Sequence, residues 1–126
     1  MKLVEATPSS DDYRRLRIVA GLPDTIYAVV IRKGREVIGI GRIIGDRGLC
    51  FQIVDVAADP AHQKRGLGKR IVAALVDHLY KTALPGAYVS LIADGEAHHL
   101  YSLYGFKPTA PRSIGMYLLQ VTPTNH

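Results

Sequence analysis

The chain has 126 residues, a net charge of +5, 48% hydrophobic residues and 21% charged residues. This size suits one domain over residues 1–126 with a buried core, and this composition excludes a disordered chain. A single cysteine excludes an intramolecular disulfide and a cysteine-rich metal site, and we predict no metal ligand set. We find no apolar run long enough for a membrane span and no signal-peptide core near Met1, so we expect a soluble, cytoplasmic protein.

The N-terminal region is predicted to hold two short elements. Residues 2–6 favour a strand. A helix is predicted from Ser9 or Ser10, either of which can cap it, to about Ala20.

An antiparallel meander is predicted next. Residues 26–32 and 37–44 are rich in β-branched residues and flank a Lys-Gly-Arg-Glu turn, which is typical of a hairpin. Gly39 and Gly41 inside the second strand indicate a β-bulge, without implying a ligand. Residues 49–57 are predicted as the third strand.

The third strand leads into a basic, glycine-containing turn and then a helix. The segment Gln63-Lys64-Arg65-Gly66-Leu67-Gly68 joins them, an arrangement that often binds phosphate at the helix N-terminus. It is not a Walker A loop, because Arg70 follows Gly68-Lys69 in place of Ser or Thr. It is not a dinucleotide fingerprint either, because Ile71 stands where the third glycine is needed.

The helix after this turn shows one broad apolar stripe and ends before Pro85-Gly86. Residues 88–92 are predicted as a strand parallel to the third one, since a helix separates the two. The stripe consists of Leu67, Ile71, Val72, Leu75, Val76 and Leu79.

The C-terminal region is predicted to contain a short helix and closing strands. Asp94 is the expected N-cap, and Gly105 ends the helix where a left-handed residue is favoured. Phe106 and residues 114–121 are predicted as closing strands.

Two motifs in this order resemble the GNAT superfamily of acetyl-CoA-dependent N-acetyltransferases. The segment 63–68 is similar to the family's Gln/Arg-x-x-Gly-x-Gly/Ala pyrophosphate loop. Residues 97–106, with Ala97, Tyr101 and Gly105-Phe106, are similar to its Ala-x-x-x-Tyr-x-x-x-Gly-Phe segment. The resemblance implies an α/β (α+β) GNAT fold: a single mixed, mostly antiparallel sheet flanked by helices, with a parallel pair splayed at the CoA site.

The resemblance also implies where acetyl-CoA binds. The loop would hold the pyrophosphate mainly through backbone N–H groups, and the preceding strand would pair with the pantetheine arm. The residues expected to bind the cosubstrate are Val56, Ala57, Ala58, Gln63, Lys64, Arg65, Gly66, Leu67, Gly68 and Lys69.

Tyr101 matches the tyrosine that family members commonly use as the general acid for the thiolate leaving group. Without the resemblance, a packed core aromatic is the simpler interpretation. Asp55 is the candidate base, directly or through water, and its alternative role is a hydrogen-bond acceptor beside the strand. His98 and His99 are expected to be surface histidines that point apart.

The predicted reaction is acetyl transfer to a primary amine by direct attack in a ternary complex, with a small molecule or a peptide as acceptor. A non-catalytic CoA-binding sensor or interaction module is the alternative. A nucleic-acid partner is a third interpretation of the charge, but no pattern of basic and aromatic residues favours it. The short region before the first hairpin leaves room for an acceptor pocket shared within a homodimer.

Overall fold

The computed structural model describes residues 25–62 and 66–120. The strand predicted over 2–6, the helix predicted over 9–20 and residues 63–65 of the loop lie outside these ranges.

Three antiparallel strands form the predicted meander. They are β1 (Tyr27–Lys33), β2 (Glu36–Gly45) and β3 (Cys50–Ala58). The β1–β2 hairpin is closed by a two-residue turn at Gly34, whose φ of 63° suits glycine. The β2–β3 turn is held by Asp46, whose carboxylate accepts three backbone N–H bonds of 2.8–3.0 Å from residues 48–50.

A fourth strand makes the sheet mixed. β4 (Tyr88–Ser90) pairs in parallel with the first three residues of β3, and the strand order is β1-β2-β3-β4. Beyond Gln52 and Ser90 this pairing stops, and residues 91–94 continue outside any strand. The predicted fold class, with its splayed parallel pair, is therefore confirmed.

The long helix α1 (Leu67–Thr82) packs on the sheet through the predicted stripe. Ile71, Val72 and Leu75 are fully buried against strands β1 to β3. Gly41 allows this close approach, because a Cβ there would lie 2.6 Å from Ile71 Cγ2. None of the helices in the described ranges has both the length and the apolar character needed to cross a bilayer.

The C-terminal region only partly follows the prediction. A 3₁₀ turn (Gly95–Ala97) leads into the short helix α2 (His98–Ser102), and Gly105 follows it with a φ of 90°. Asp94 occupies the N-cap position of the 3₁₀ turn, although its side chain makes no capping bond. The closing strands predicted at Phe106 and over 114–121 are wrong for the described residues, since 106–120 form no strand.

Candidate active site

A β-bulge shapes β3 at the splay. The β2–β3 register shifts between Ile40 and Arg42, so Asp55 and Val56 both stand opposite Gly41. Asp55 has a φ of 56°, a left-handed conformation that is uncommon for residues other than glycine but enriched for Asp. Such local strain is often found at functional sites.

An ion pair holds the bulge in place. Arg42 Nε donates to Asp55 Oδ2 over 2.6 Å, and a second Arg42 nitrogen donates to Thr25 Oγ1 over 2.9 Å. The two charged side chains are only 15% and 29% exposed. Asp55 thus accepts a hydrogen bond beside the strand, as its alternative role requires, and the base role stays a prediction. Arg42 was not predicted as part of the site, although a lone cation inside an apolar strand is a signal in the sequence.

Residues 56–58 of β3 offer their backbone, not their side chains. Val56, Ala57 and Ala58 are all at most 5% exposed. One edge of this stretch pairs with β2, while the edge on the β4 side lies past the last β3–β4 pair. An extended ligand with amide groups could add along that open edge as a further strand would.

The helix α1 begins at Leu67, nine residues after the end of β3. Gly66 is the N-cap with a φ of 73°, and among the described residues no side-chain bond caps the first turn. The first N–H groups of a helix have no intrahelical acceptor, so they attract anions together with the helix dipole. Lys69 is exposed here and adds positive charge, whereas Leu67 and Gly68 are buried. Gln63, Lys64 and Arg65 lie outside the described residues.

Tyr101 is almost completely buried, at 2% exposure, in the same core cluster as Val56 and Ile53. Its ring meets Phe106 edge-on at 5.8 Å. Burial, and secondarily the negative charge of Asp94, raise the pKa of the Tyr101 phenol far above its usual value near 10. Tyr101 therefore keeps its proton throughout the physiological pH range.

A second tyrosine connects α2 to α1. The Tyr104 hydroxyl donates to the backbone carbonyl of Lys69 over 3.1 Å. This bond ties the chain just after Tyr101 to the first turn of α1, where the cosubstrate phosphates are expected. This bond could not be predicted from the sequence, because nothing in the spacing indicated a contact 35 residues away.

The two histidines of α2 are exposed as expected, but they do not point apart. Their ring centroids lie 4.0 Å from each other. His99 Nε2 lies 2.8 Å from Glu96 Oε2, and His98 Nδ1 lies 3.2 Å from the Gly95 carbonyl oxygen. The ligand atoms of Glu96, His98 and His99 lie within 4.8 Å of one another, but all three side chains are solvated.

The structure brings some of the predicted residues together, and it engages the Asp55 carboxylate in an ion pair. Val56 and Tyr101 share one cluster, and Lys69 is linked to the α2 region through Tyr104. Asp55 lies in the bulge beside Val56, and its carboxylate is engaged by Arg42.

Comparisons with known proteins agree with this geometry. A crystal structure of a Staphylococcus aureus protein described as "Probable Acetyltransferase" superposes with a TM-score of 0.79 at 36% identity, covering 91% of this chain and 96% of that one. Glucosamine-6-phosphate N-acetyltransferase from Arabidopsis thaliana shares the fold, with a TM-score of 0.64, 22% identity and coverage of 91% and 80%.

Curated relatives point the same way. GCN5-related N-acetyltransferase 2, chloroplastic, from Arabidopsis thaliana is 32% identical over 83 residues, which are 66% of this chain and 31% of the relative. The chain thus spans about a third of the length of that relative. The family model for the acetyltransferase (GNAT) family matches residues 3–106. The chain belongs to the GNAT family of acetyltransferases.

Proposed function

We propose that this protein transfers an acetyl group from acetyl-CoA to a primary amine by direct attack in a ternary complex. The observation that carries the proposal is that Tyr101 and Val56, at the unpaired part of β3, belong to one buried cluster. The phenol is buried in the cluster that contains Val56, and the backbone of residues 56–58 borders the splay. An acid and a strand-like docking edge are what acyl transfer from a pantetheine thioester needs.

The residues present suit acetyl-CoA as a substrate. The free N–H groups at the start of α1 and the ammonium group of Lys69 provide positive potential for the pyrophosphate. The open backbone of residues 56–58 can pair with the amide groups of the pantetheine arm. A backbone N–H on that edge would stabilise the oxyanion that develops on the acetyl carbonyl.

The chemistry follows from these contacts. A neutral amine attacks the thioester carbonyl, a C–N bond forms, and the C–S bond breaks. The departing thiolate takes the proton from the Tyr101 hydroxyl, since a phenol is protonated at neutral pH. The nitrogen releases its proton to Asp55, directly or through water, and the phenolate regains a proton from solvent.

The acceptor is proposed only as a primary amine of a small molecule or a peptide. The relatives carry different names: one is called a histone acetyltransferase, from Glycine max, and a fold neighbour is a glucosamine-6-phosphate N-acetyltransferase. Their acceptors are chemically unlike each other apart from the amine. The shared chemistry therefore supports the reaction type and not a particular acceptor.

A thiol-release assay with acetyl-CoA and a panel of amines tests the proposal. The panel should include polyamines, amino acids, amino sugars, aminoglycosides and lysine-containing peptides. We expect CoA release above the hydrolysis background with at least one class, and a rise in melting temperature with acetyl-CoA alone. Stabilisation by acetyl-CoA without release on any amine would instead support a non-catalytic CoA-binding module.

A further inference from the structure

Three potential metal ligands lie together on the exposed side of the segment that carries Tyr101. Glu96 belongs to the 3₁₀ turn, and His98 and His99 open the helix α2. One ligand atom of each side chain lies within 4.8 Å of the other two, and no other His, Cys, Asp or Glu side chains in residues 25–62 and 66–120 form such a group of three. The side chains of Glu96 and His99 are 78% and 72% exposed, so an ion with its remaining water ligands can reach them.

The spacing of these ligand atoms suits a single ion. Two atoms that each lie about 2.1 Å from a tetrahedral ion are about 3.4 Å apart. Glu96 Oε2 lies 2.8 Å from His99 Nε2, and the ring centroids of the two histidines are 4.0 Å apart. Because all three side chains are exposed, small rotations about their own bonds would bring the ligand atoms to the required distance. The sequence alone did not indicate this group, since adjacent helical residues diverge by about 100°.

The hydrogen bond of His98 leaves one ring nitrogen available for a metal. Its Nδ1 lies 3.2 Å from the Gly95 carbonyl oxygen. A carbonyl oxygen can only accept, so Nδ1 carries the proton and Nε2 keeps the lone pair. Metal-binding histidines commonly donate their second N–H to a carbonyl or carboxylate in this way, which fixes the orientation and the tautomer of the ring. The bond to Gly95 therefore prepares His98 for coordination through Nε2.

The segment is locally negative in a chain whose net charge is +5. Between Lys81 and Lys107 the sequence contains no lysine or arginine, and its two carboxylates in this stretch are Asp94 and Glu96. Opposite charges attract most strongly at short distance. A cation is therefore attracted to this turn without competition from an ammonium or guanidinium group of the same segment.

The backbone beneath the three ligands is fixed by the core. Ala97, Leu100 and Tyr101 are 7%, 8% and 2% exposed, and they belong to the main buried cluster. The Ser102 hydroxyl also donates to the His98 carbonyl oxygen over 2.7 Å. Ligands on such a backbone lose little conformational freedom beyond that of their own side chains when an ion binds.

We propose that Glu96, His98 and His99 bind one divalent transition-metal ion of the zinc type on the exposed side of α2. Two imidazole nitrogens and one carboxylate oxygen suit Zn²⁺ and its neighbours in the first transition row, whereas Mg²⁺ and Ca²⁺ prefer oxygen ligands alone. Water would complete the coordination. The ion would join the 3₁₀ turn to α2 and so brace the short helix that holds Tyr101. This site is independent of the acetyl-transfer proposal.

Calorimetric titration of the tag-free full chain with Zn²⁺ is the first test. We expect one ion to bind per chain at neutral pH, and no measurable binding of Mg²⁺. Each of the substitutions Glu96→Gln, His98→Gln and His99→Gln should weaken zinc binding at least about tenfold, because losing a ligand costs no less than losing an outer partner of a ligand. His62→Gln and Cys50→Ser are the matched controls. Both remove a potential zinc ligand outside the group, and both should keep the wild-type affinity.

The NMR signals of the imidazole ring nitrogens locate the ion without any substitution. Zn²⁺ should shift the signals of His98 and His99 and leave those of His62 and His78 in place. Amide hydrogen exchange over residues 95–102 should slow, because the ion braces the turn. The proposal is overturned if Zn²⁺ does not bind, if Mg²⁺ binds equally well, if His99→Gln keeps the wild-type affinity, or if zinc shifts only the other histidines.

Discussion

Within the described residues, the unpaired part of β3 and the outer edge of β4 differ in their surroundings. The β3 edge at residues 56–58 is bordered by buried side chains, a bulge tied by the Arg42–Asp55 ion pair, and the buried Tyr101. The β4 edge is bordered by exposed aromatic side chains and a wide apolar groove. The first edge is closely packed, which suits the preorganisation that the proposed ligand site requires. The second is apolar and largely exposed.

Replacing Tyr101 with Phe tests the first edge most strongly. Loss of the general acid should lower kcat by about 10²- to 10⁴-fold while leaving the KM for acetyl-CoA nearly unchanged. Folding stability should change little, because the hydroxyl has no hydrogen-bond partner among the described residues and the ring contacts with Phe106 remain. Steady-state kinetics and thermal melts of the variant give both quantities.

Tyr88→Phe is the matched control, since Tyr88 lies on the other edge and is 60% exposed. It should retain the wild-type kcat. A Tyr101→Phe variant with full activity across the pH range would show that this phenol is only a core aromatic and not the general acid.

Variants of the Arg42–Asp55 pair test whether Asp55 only holds the bulge or also takes part in the reaction. We expect Asp55→Asn to lower kcat by about tenfold or more as a base is lost. Arg42→Gln also breaks the pair, and so shares the structural cost of about 1–2 kcal/mol, but it keeps the carboxylate. Kinetics of both variants over a pH series, together with chemical denaturation, separate the two effects.

The outcome for Asp55 depends on the difference between these variants. A larger kcat loss in Asp55→Asn than in Arg42→Gln supports the base role. If both variants instead change activity equally, chiefly by raising the KM for acetyl-CoA, Asp55 only holds the bulge.

Features that depend on neighbouring residues could be predicted from the sequence, and contacts between distant residues could not. Local patterns predicted the hairpin, the α1 stripe and the parallel strand, because each depends on neighbouring residues and on secondary-structure period. The turn at Gly105 followed from its need for a positive φ. The Arg42–Asp55 pair and the Tyr104–Lys69 bond were missed, since they join residues 13 and 35 positions apart and leave no periodic trace.

The closing strands failed for a different reason. Residues 114–120 have strand-forming composition, but a strand requires a partner edge, and within the described residues this segment pairs with none. Composition reports the tendency to pair, and it carries no information on which edge, or which molecule, supplies the partner.

Gly41→Ala should destabilise the fold next to the β3 edge, because it disturbs the packing of α1 on the sheet. The new Cβ would lie 2.6 Å from Ile71 Cγ2 and 3.1 Å from Leu75 Cδ1, so α1 or β2 must shift. We expect a loss of about 1–3 kcal/mol in unfolding free energy. Gly48→Ala is the control, because its nearest contact would be 3.7 Å, and it should stay within about 0.5 kcal/mol of wild type. Equal urea midpoints for the two variants would contradict this account of Gly41.

The ionisation of Tyr101 should produce the smallest effect, confined to alkaline pH. Its pKa is raised on folding, so the folded state holds the proton more tightly than the unfolded state does. This contribution to stability is complete below about pH 10, the unfolded value, and is lost as the pH rises through the higher folded value. The unfolding free energy of the wild type should therefore fall relative to Tyr101→Phe above about pH 10, by up to about 1.4 kcal/mol per pH unit. The other tyrosines cancel in this difference because both proteins contain them. If the difference in unfolding free energy between the two proteins stays constant at every pH, the phenol is solvated. The β3 edge at residues 56–58 would then be as open to water as the β4 edge.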